Sequence, residues 1–275
     1  RHGNRRHRNG GGQRLRILVT NDDGIHAPGL KTLEKIAKEL SRDVWVVAPE
    51  AEQSGSSHSL TIHLPLRVRR LSARRFAVSG TPTDCVAMGV HQVIPGRKPD
   101  LVLSGVNRGT NMGDDVTYSG TIAAAMEGCL LKIPSVALSQ MVKPGQSVKW
   151  ATAAHHAPPV LRALLKEGWP EGVLININFP DVLHTKVTGV EVCPQGERDY
   201  SDMVIDERTD ARGNLYYWLG FRRVKGEPQA RTDLAQVWGG GIAVTPLQLN
   251  LTHRGTMRSL KKAFESKNFG EAASE

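Results

Sequence analysis

Short apolar runs that stop at polar, glycine-rich turns, separated by helically spaced apolar residues, constrain this chain more than any single residue does. Leu15-Arg16-Ile17-Leu18-Val19-Thr20 ends at Asn21-Asp22-Asp23-Gly24. Ala27-Pro28-Gly29 then leads into Leu30, Leu33, Ile36, Ala37 and Leu40, which share one helical face. Val44-Trp45-Val46-Val47-Ala48 follows and ends at Pro49. Strand, amphipathic helix and strand in that order predict a parallel pair joined by a right-handed crossover.

The alternation continues. Phe76-Ala77-Val78, Asp100-Leu101-Val102-Leu103-Ser104, Ser135-Val136-Ala137-Leu138 and Val173-Leu174-Ile175-Asn176-Ile177 read as strands. Thr81-Pro82 reads as an N-cap with proline at the first helical position, and Asp84 stands in the first turn. Helices are expected from there through Val93, over Ser119–Leu131, and over 147–167 with a break at Pro158-Pro159. The expected fold class is α/β, a doubly wound, mostly parallel, Rossmann-like sheet. Beyond Pro180 the texture changes to short β-like runs and the aromatic stretch Tyr216-Tyr217-Trp218. The expected organisation is a flexible basic leader over 1–14 and an α/β core over 15–184. A β-rich oligomerisation extension over 185–255 returns to the core, and a helix and tail occupy 256–275.

Charge excludes some functions. The chain of 275 residues has a formal charge of +9, but residues 1–16 hold six arginines and no acid, leaving 30 basic against 27 acidic residues. Nucleic-acid binding by the folded body loses most of its electrostatic argument, and only weak binding through the leader remains. No apolar run is long enough for a membrane span. Cys85, Cys129 and Cys193 lie far apart without a CxxC pair, which suits reduced thiols and a cytoplasmic protein.

In open parallel sheets, ligands bind beyond the carboxyl ends of the strands. Four polar segments fall there: Asn21–Gly24, Pro49–Ser59, Ser79–Thr81 and Gly105–Asp115. Adjacent carboxylates at Asp22 and Asp23 repel, and a hard divalent cation would relieve them. A hydroxyl from the second segment and a carboxamide oxygen from the fourth would complete an oxygen set of the kind Mg²⁺ takes; no His/Cys cluster argues for zinc. Asp-Asp-Gly is also an ordinary turn and helix-capping sequence. Ser119-Gly120-Thr121 stands where a helix starts, as a Ser N-cap or as a phosphate site. The first turn lacks G-x-G-x-x-G, a P-loop is absent, and Ser54 lacks the G-x-S-x-G context of a serine hydrolase although His58 is near.

The ordered segments Arg16–Gly29, Val47-Ala48-Pro49 with Gln53-Ser54-Gly55, Gly80–Cys85, Ser104–Asn107, Gly113–Thr121 running into Ala123–Gly128, and Val244–Leu247 resemble the SurE family of 5′/3′-nucleotidases. The resemblance spans residues 16 to about 252. It implies one divalent cation per subunit, Mg²⁺ or Mn²⁺, held by Asp22, Asp23, Ser54 and Asn107. It also implies hydrolysis of nucleoside 5′- and 3′-monophosphates, and a homodimer or homotetramer built partly through the β-rich extension. Asn111, Ser119 and Gly120 are expected to hold phosphate oxygens. Asp22 or Asp23 could act as base or nucleophile, but ligation would occupy them, so attack by a water on the metal is favoured. The alternatives are a broader phosphatase or exopolyphosphatase on the same site and, more distantly, a non-enzymatic nucleic-acid binder.

Overall fold

A computed structural model describes residues 14–197, 203–221 and 227–265. The basic leader lies outside them except for Arg14, and so does the tail beyond Glu265. The first apolar runs form β1 (Arg16–Thr20) and β2 (Asp43–Pro49), and the amphipathic segment between them forms α1 (Pro28–Leu40). Then come β3 (Val68–Ser72), β4 (Arg75–Val78), α2 (Pro82–Met88), β5 (Leu101–Arg108), α3 (Gly120–Leu130), β6 (Ser135–Gln140), α4 (Trp150–Glu167) and β7 (Val173–Phe179). The chain continues through β8 (Val190–Val192), β9 (Met203–Thr209), β10 (Leu215–Phe221), α5 (Asp233–Trp238), β11 (Ile242–Gln248) and α6 (Arg254–Glu265).

The main sheet has the order β3-β4-β2-β1-β5-β6-β7-β11-β8. Its centre, from β4 to β7, is parallel, and β3 and β11 join it antiparallel. Alternate residues of each strand serve opposite faces. Ile17 and Val19 pack with Leu30, Leu33 and Ile36 of α1 and with Ala157 and Leu161 of α4. Leu18 packs the other way, with Cys85 and Val86 of α2 and Ala124 of α3. Ile17, Leu18 and Val19 are fully buried, and each such burial is worth about 1.5–3 kcal/mol. The doubly wound expectation therefore holds.

Three details differ from the sequence reading. Helix α4 runs unbroken through Pro158 and Pro159. The two missing N–H donors are tolerated because Ala153, Ala157 and Leu161 bury the same helical face on both sides of them. Strand β3, Val68-Arg69-Arg70-Leu71-Ser72, was not foreseen; it is an exposed edge strand without an apolar run. Strand β5 extends to Arg108, so Asn107 belongs to the strand end rather than to the following loop.

The late segments divide. Strands β8 and β11 join the main sheet, whereas β9 and β10 form a separate antiparallel hairpin. Asp210 closes the hairpin turn, its carboxylate accepting from the backbone N–H groups of Arg212 and Asn214. Ile205, Leu215, Tyr217, Trp218 and Leu219 of the hairpin are exposed, as are Met257, Leu260 and Phe264 along one face of α6.

Candidate active site

The carboxyl ends of β1, β2 and β5 and the loop after β6 open onto one cleft of about 1080 Å³. The β1–α1 turn is built locally: Asn21 Nδ2 donates to the Gly24 carbonyl at 3.0 Å. It is also laced to the next loop. The Ile25 N–H donates to the Pro49 carbonyl, and the Gln53 N–H donates to the Asp22 carbonyl, both at 2.8 Å. These bonds set Asp22 and Asp23 beside Ser54 on the cleft wall.

Asp22 is nearly buried, at 5% exposure. The Thr121 hydroxyl donates to Asp22 Oδ1 at 2.6 Å. Burial pushes the Asp22 carboxyl up from 3.8 to about 6; the Thr121 hydrogen bond opposes this and the neighbouring Asp23 adds to it. Asp23 is also raised, first by burial, against the hydrogen bond that the Arg108 backbone N–H donates to its Oδ2 at 3.2 Å. Gly120, at the start of α3, packs on Asp22: a Cβ there would stand 2.9 Å from Asp22 Cβ and 3.2 Å from Oδ2. The helix can approach the carboxylate this closely only with glycine at that position.

Asn107 and Ser54 present neutral oxygens. Asn107 Nδ2 donates to the Gly109 carbonyl at 3.0 Å, which leaves Oδ1 as the opposite end of the amide. Ser54 donates its proton to Glu52 Oε1 at 2.7 Å, leaving its lone pairs to accept or ligate. Among the described residues no group of three His, Cys, Asp or Glu side chains could hold a metal ion. A cation here must therefore combine the two aspartates with neutral oxygens. Two carboxylates, a hydroxyl and a carboxamide form an all-oxygen set, which fits a hard divalent ion. The cleft lining also carries Asp22, Asp23, Glu52 and Asp115 against Arg108 as its one basic side chain. A phosphate dianion would enter such a surface against net repulsion unless a cation came with it.

The three residues expected to hold phosphate differ in their positions. Ser119 lines the cleft and caps α3, its Oγ accepting from the Ile122 N–H at 3.1 Å. Asn111 also lines the cleft, and its Nδ2 donates to Ser139 Oγ at 2.8 Å. Its backbone is held from β7: the Asn111 N–H donates to Asn178 Oδ1 at 2.9 Å, and Asn176 and Asn178 both donate to its carbonyl. Gly120 is not part of the lining; it packs on Asp22, which is. The sequence reading did not single out Thr121 as a partner of Asp22, nor the wall formed by Gln146, Ser147, Val148 and Trp150. The strand–loop–helix rule that located the other loops also points to the segment after β6.

Comparison with known proteins bears on this cleft. The family model described as "Survival protein SurE" matches residues 17–202. A 5′-nucleotidase SurE of Parvibaculum lavamentivorans is 60% identical over 255 residues, 92% of each chain. Another from Paramagnetospirillum magneticum is 58% identical, covering 91% of this chain and 96% of its own. The crystal structure of the SurE protein from Aquifex aeolicus superposes with a TM-score of 0.78 at 38% identity, over 90% of this chain and 99% of that one.

Proposed function

This chain belongs to the SurE family, and on that premise we propose a cation-dependent 5′-nucleotidase in which Asp22, Asp23, Ser54 and Asn107 hold one Mg²⁺ or Mn²⁺. The enzyme hydrolyses nucleoside monophosphates to nucleoside and phosphate. The observation that carries the assignment of the cation is the meeting of two partly desolvated carboxylates with a hydroxyl and a carboxamide in one acidic cleft.

A divalent ion supplies charge neutralisation and water activation when bound. The chain's own residues do the rest. Thr121 and Gly120 fix the Asp22 carboxylate in one orientation. The Ser119 oxygen caps α3, so its own hydrogen is left to donate to a phosphate oxygen. Asn111 gives one amide hydrogen to Ser139 and keeps the second for the same purpose. The Arg108 side chain adds positive charge at the cleft wall. Phosphoryl transfer depends mainly on such positioning and electrostatic stabilisation.

The test is release of inorganic phosphate from a panel of 5′- and 3′-nucleoside monophosphates, simple phosphate esters and polyphosphate. Each is assayed in EDTA and after Mg²⁺ or Mn²⁺ is restored. Turnover of 5′-monophosphates that vanishes in EDTA and returns with metal is expected. Undiminished turnover in EDTA would overturn the cation assignment, and turnover confined to polyphosphate would overturn the substrate.

The exposed apolar residues of the β9–β10 hairpin and of α6 support self-association, with a second copy of the chain as the occupant of these faces, in a homodimer or homotetramer. Three free, buried cysteines agree with a reducing, cytoplasmic setting. No described helix is long and apolar enough to cross a membrane.

A further inference from the structure

The segment from Arg108 to Ser119 supplies Arg108, Thr110, Asn111, Asp115, Tyr118 and Ser119 to the cleft lining, and it contains neither a long helix nor a strand of its own between β5 and α3. Its one regular element is the 3-10 turn Gly113–Thr117, and the start of that turn is tied to other parts of the fold. The Asn111 backbone is held by β7, as described above. Two residues further on, the Gly113 N–H donates to Asp233 Oδ2 at 2.9 Å, and Gln195 Nε2 donates to the Gly113 carbonyl at 3.0 Å. Between them Met112 is fully buried among Cys193, Leu234, Val237 and Ala243. Gly113 has φ +54°, a conformation that the two hydrogen bonds stabilise and that other residues adopt at a cost.

Asp233 is completely buried. Its Oδ1 accepts from the N–H groups of Gly196, at 2.9 Å, and Leu234, at 2.8 Å, while Oδ2 is given to Gly113. Three donors on two oxygens require a carboxylate: a carboxamide would keep its oxygen for Gly196 and Leu234 and turn an NH₂ donor toward the Gly113 N–H. We propose that Asp233 is a positioning residue for phosphate hydrolysis, acting through Gly113 to hold Asn111 and Ser119 at the cleft. The proposal rests on the nucleotidase reading of the site.

The decisive variant is Asp233→Asn, which keeps the side chain's shape and severs the Gly113 bond. Amide hydrogen exchange over 111–119 should rise by about tenfold or more relative to β5. The kcat/KM for adenosine 5′-monophosphate should fall by about 10- to 100-fold, with a drop in kcat as well as a rise in KM. Mg²⁺ affinity by calorimetry should stay at the wild-type value, because the four proposed ligands are held by other bonds. A folded variant with a lowered melting temperature but wild-type kcat and KM overturns the proposal, as does unchanged exchange over 111–119. Should Asp233→Asn fail to fold, Gln195→Ala removes the companion bond to Gly113 and is read by the same measurements; unchanged exchange and kinetics there overturn it equally. If the wild-type protein releases no phosphate from the nucleotide, the nucleotidase reading falls, and the exchange measurement still decides whether Asp233 holds the loop.

Discussion

Thr121 Oγ donates to Asp22 Oδ1 across 2.6 Å, and both side chains are buried. The first turn of α3 thus orients the carboxylate that stands at the end of β1.

Thr121→Val keeps the shape and removes this donor. Asp22 would then be free to rotate, and its charged form would lose a hydrogen bond. Mg²⁺ affinity by calorimetry should fall by about 10- to 100-fold, the usual effect of removing a group that orients a ligand. Affinity unchanged within error would mean that Asp22 is fixed by other contacts.

Asp22→Asn should abolish cation-dependent turnover and also remove a pH dependence of stability. With its carboxyl raised to about 6 from 3.8, the folded metal-free protein keeps a proton that the unfolded chain has released between those values. Stability therefore declines as pH rises through that window and levels off above it, by about 3 kcal/mol in all. Urea unfolding in EDTA at pH 5 and pH 7.5 captures about half of this fall, because pH 5 already lies inside the window, and the difference between wild type and Asp22→Asn isolates the one group. Equal pH slopes for the two proteins would refute it. Adding Mg²⁺ at pH 7.5 should restore most of the lost stability to the wild type alone.

Gly120→Ala should damage activity more than folding. The added Cβ would stand 2.9 Å from Asp22 Cβ, closer than carbon atoms pack, so Asp22 or α3 must shift. A fall in kcat/KM of about tenfold or more is expected, with a melting temperature reduced by only a few degrees, on the order of 1–3 kcal/mol of overpacking. Wild-type kinetics would show that the carboxylate position is not critical.

Asn107→Ala should weaken metal binding less than Asp22→Asn does, since a neutral carboxamide contributes less than a carboxylate to a hard cation. Turnover should recover in part at high Mg²⁺. A loss of turnover that no metal concentration relieves would place Asn107 on the substrate instead.

Much of this site could be read in the chain because parallel strands deliver their following loops to one edge. Ile17-Leu18-Val19 and Leu101-Val102-Leu103 are apolar enough to mark buried strands, so Asp22, Asp23 and Asn107 could be put on the same edge from the residues alone. Strand β3 was hidden because edge strands need no apolar run, and Arg69 and Arg70 suit an exposed position. The passage of α4 through Pro158-Pro159 was hidden because burial on the sheet outweighs the local cost of proline. The bonds Thr121–Asp22 and Asp233–Gly113 span 99 and 120 positions. No periodicity or spacing rule reaches so far; only the folded topology brings those side chains together.

The placement of β11 bears on synthesis. It lies between β7 and β8, pairing from Ala243↔Asn178 to Gln248↔Val173. A chain growing on the ribosome completes β7 early, yet that strand keeps an open edge until about seventy further residues have emerged, a wait of several seconds at ~5–20 residues per second. Through that interval the nascent protein carries β7 paired to β6 on one side and open on the other, beside the loop that lines the cleft, at the stage when a bound chaperone would do most to prevent misassembly.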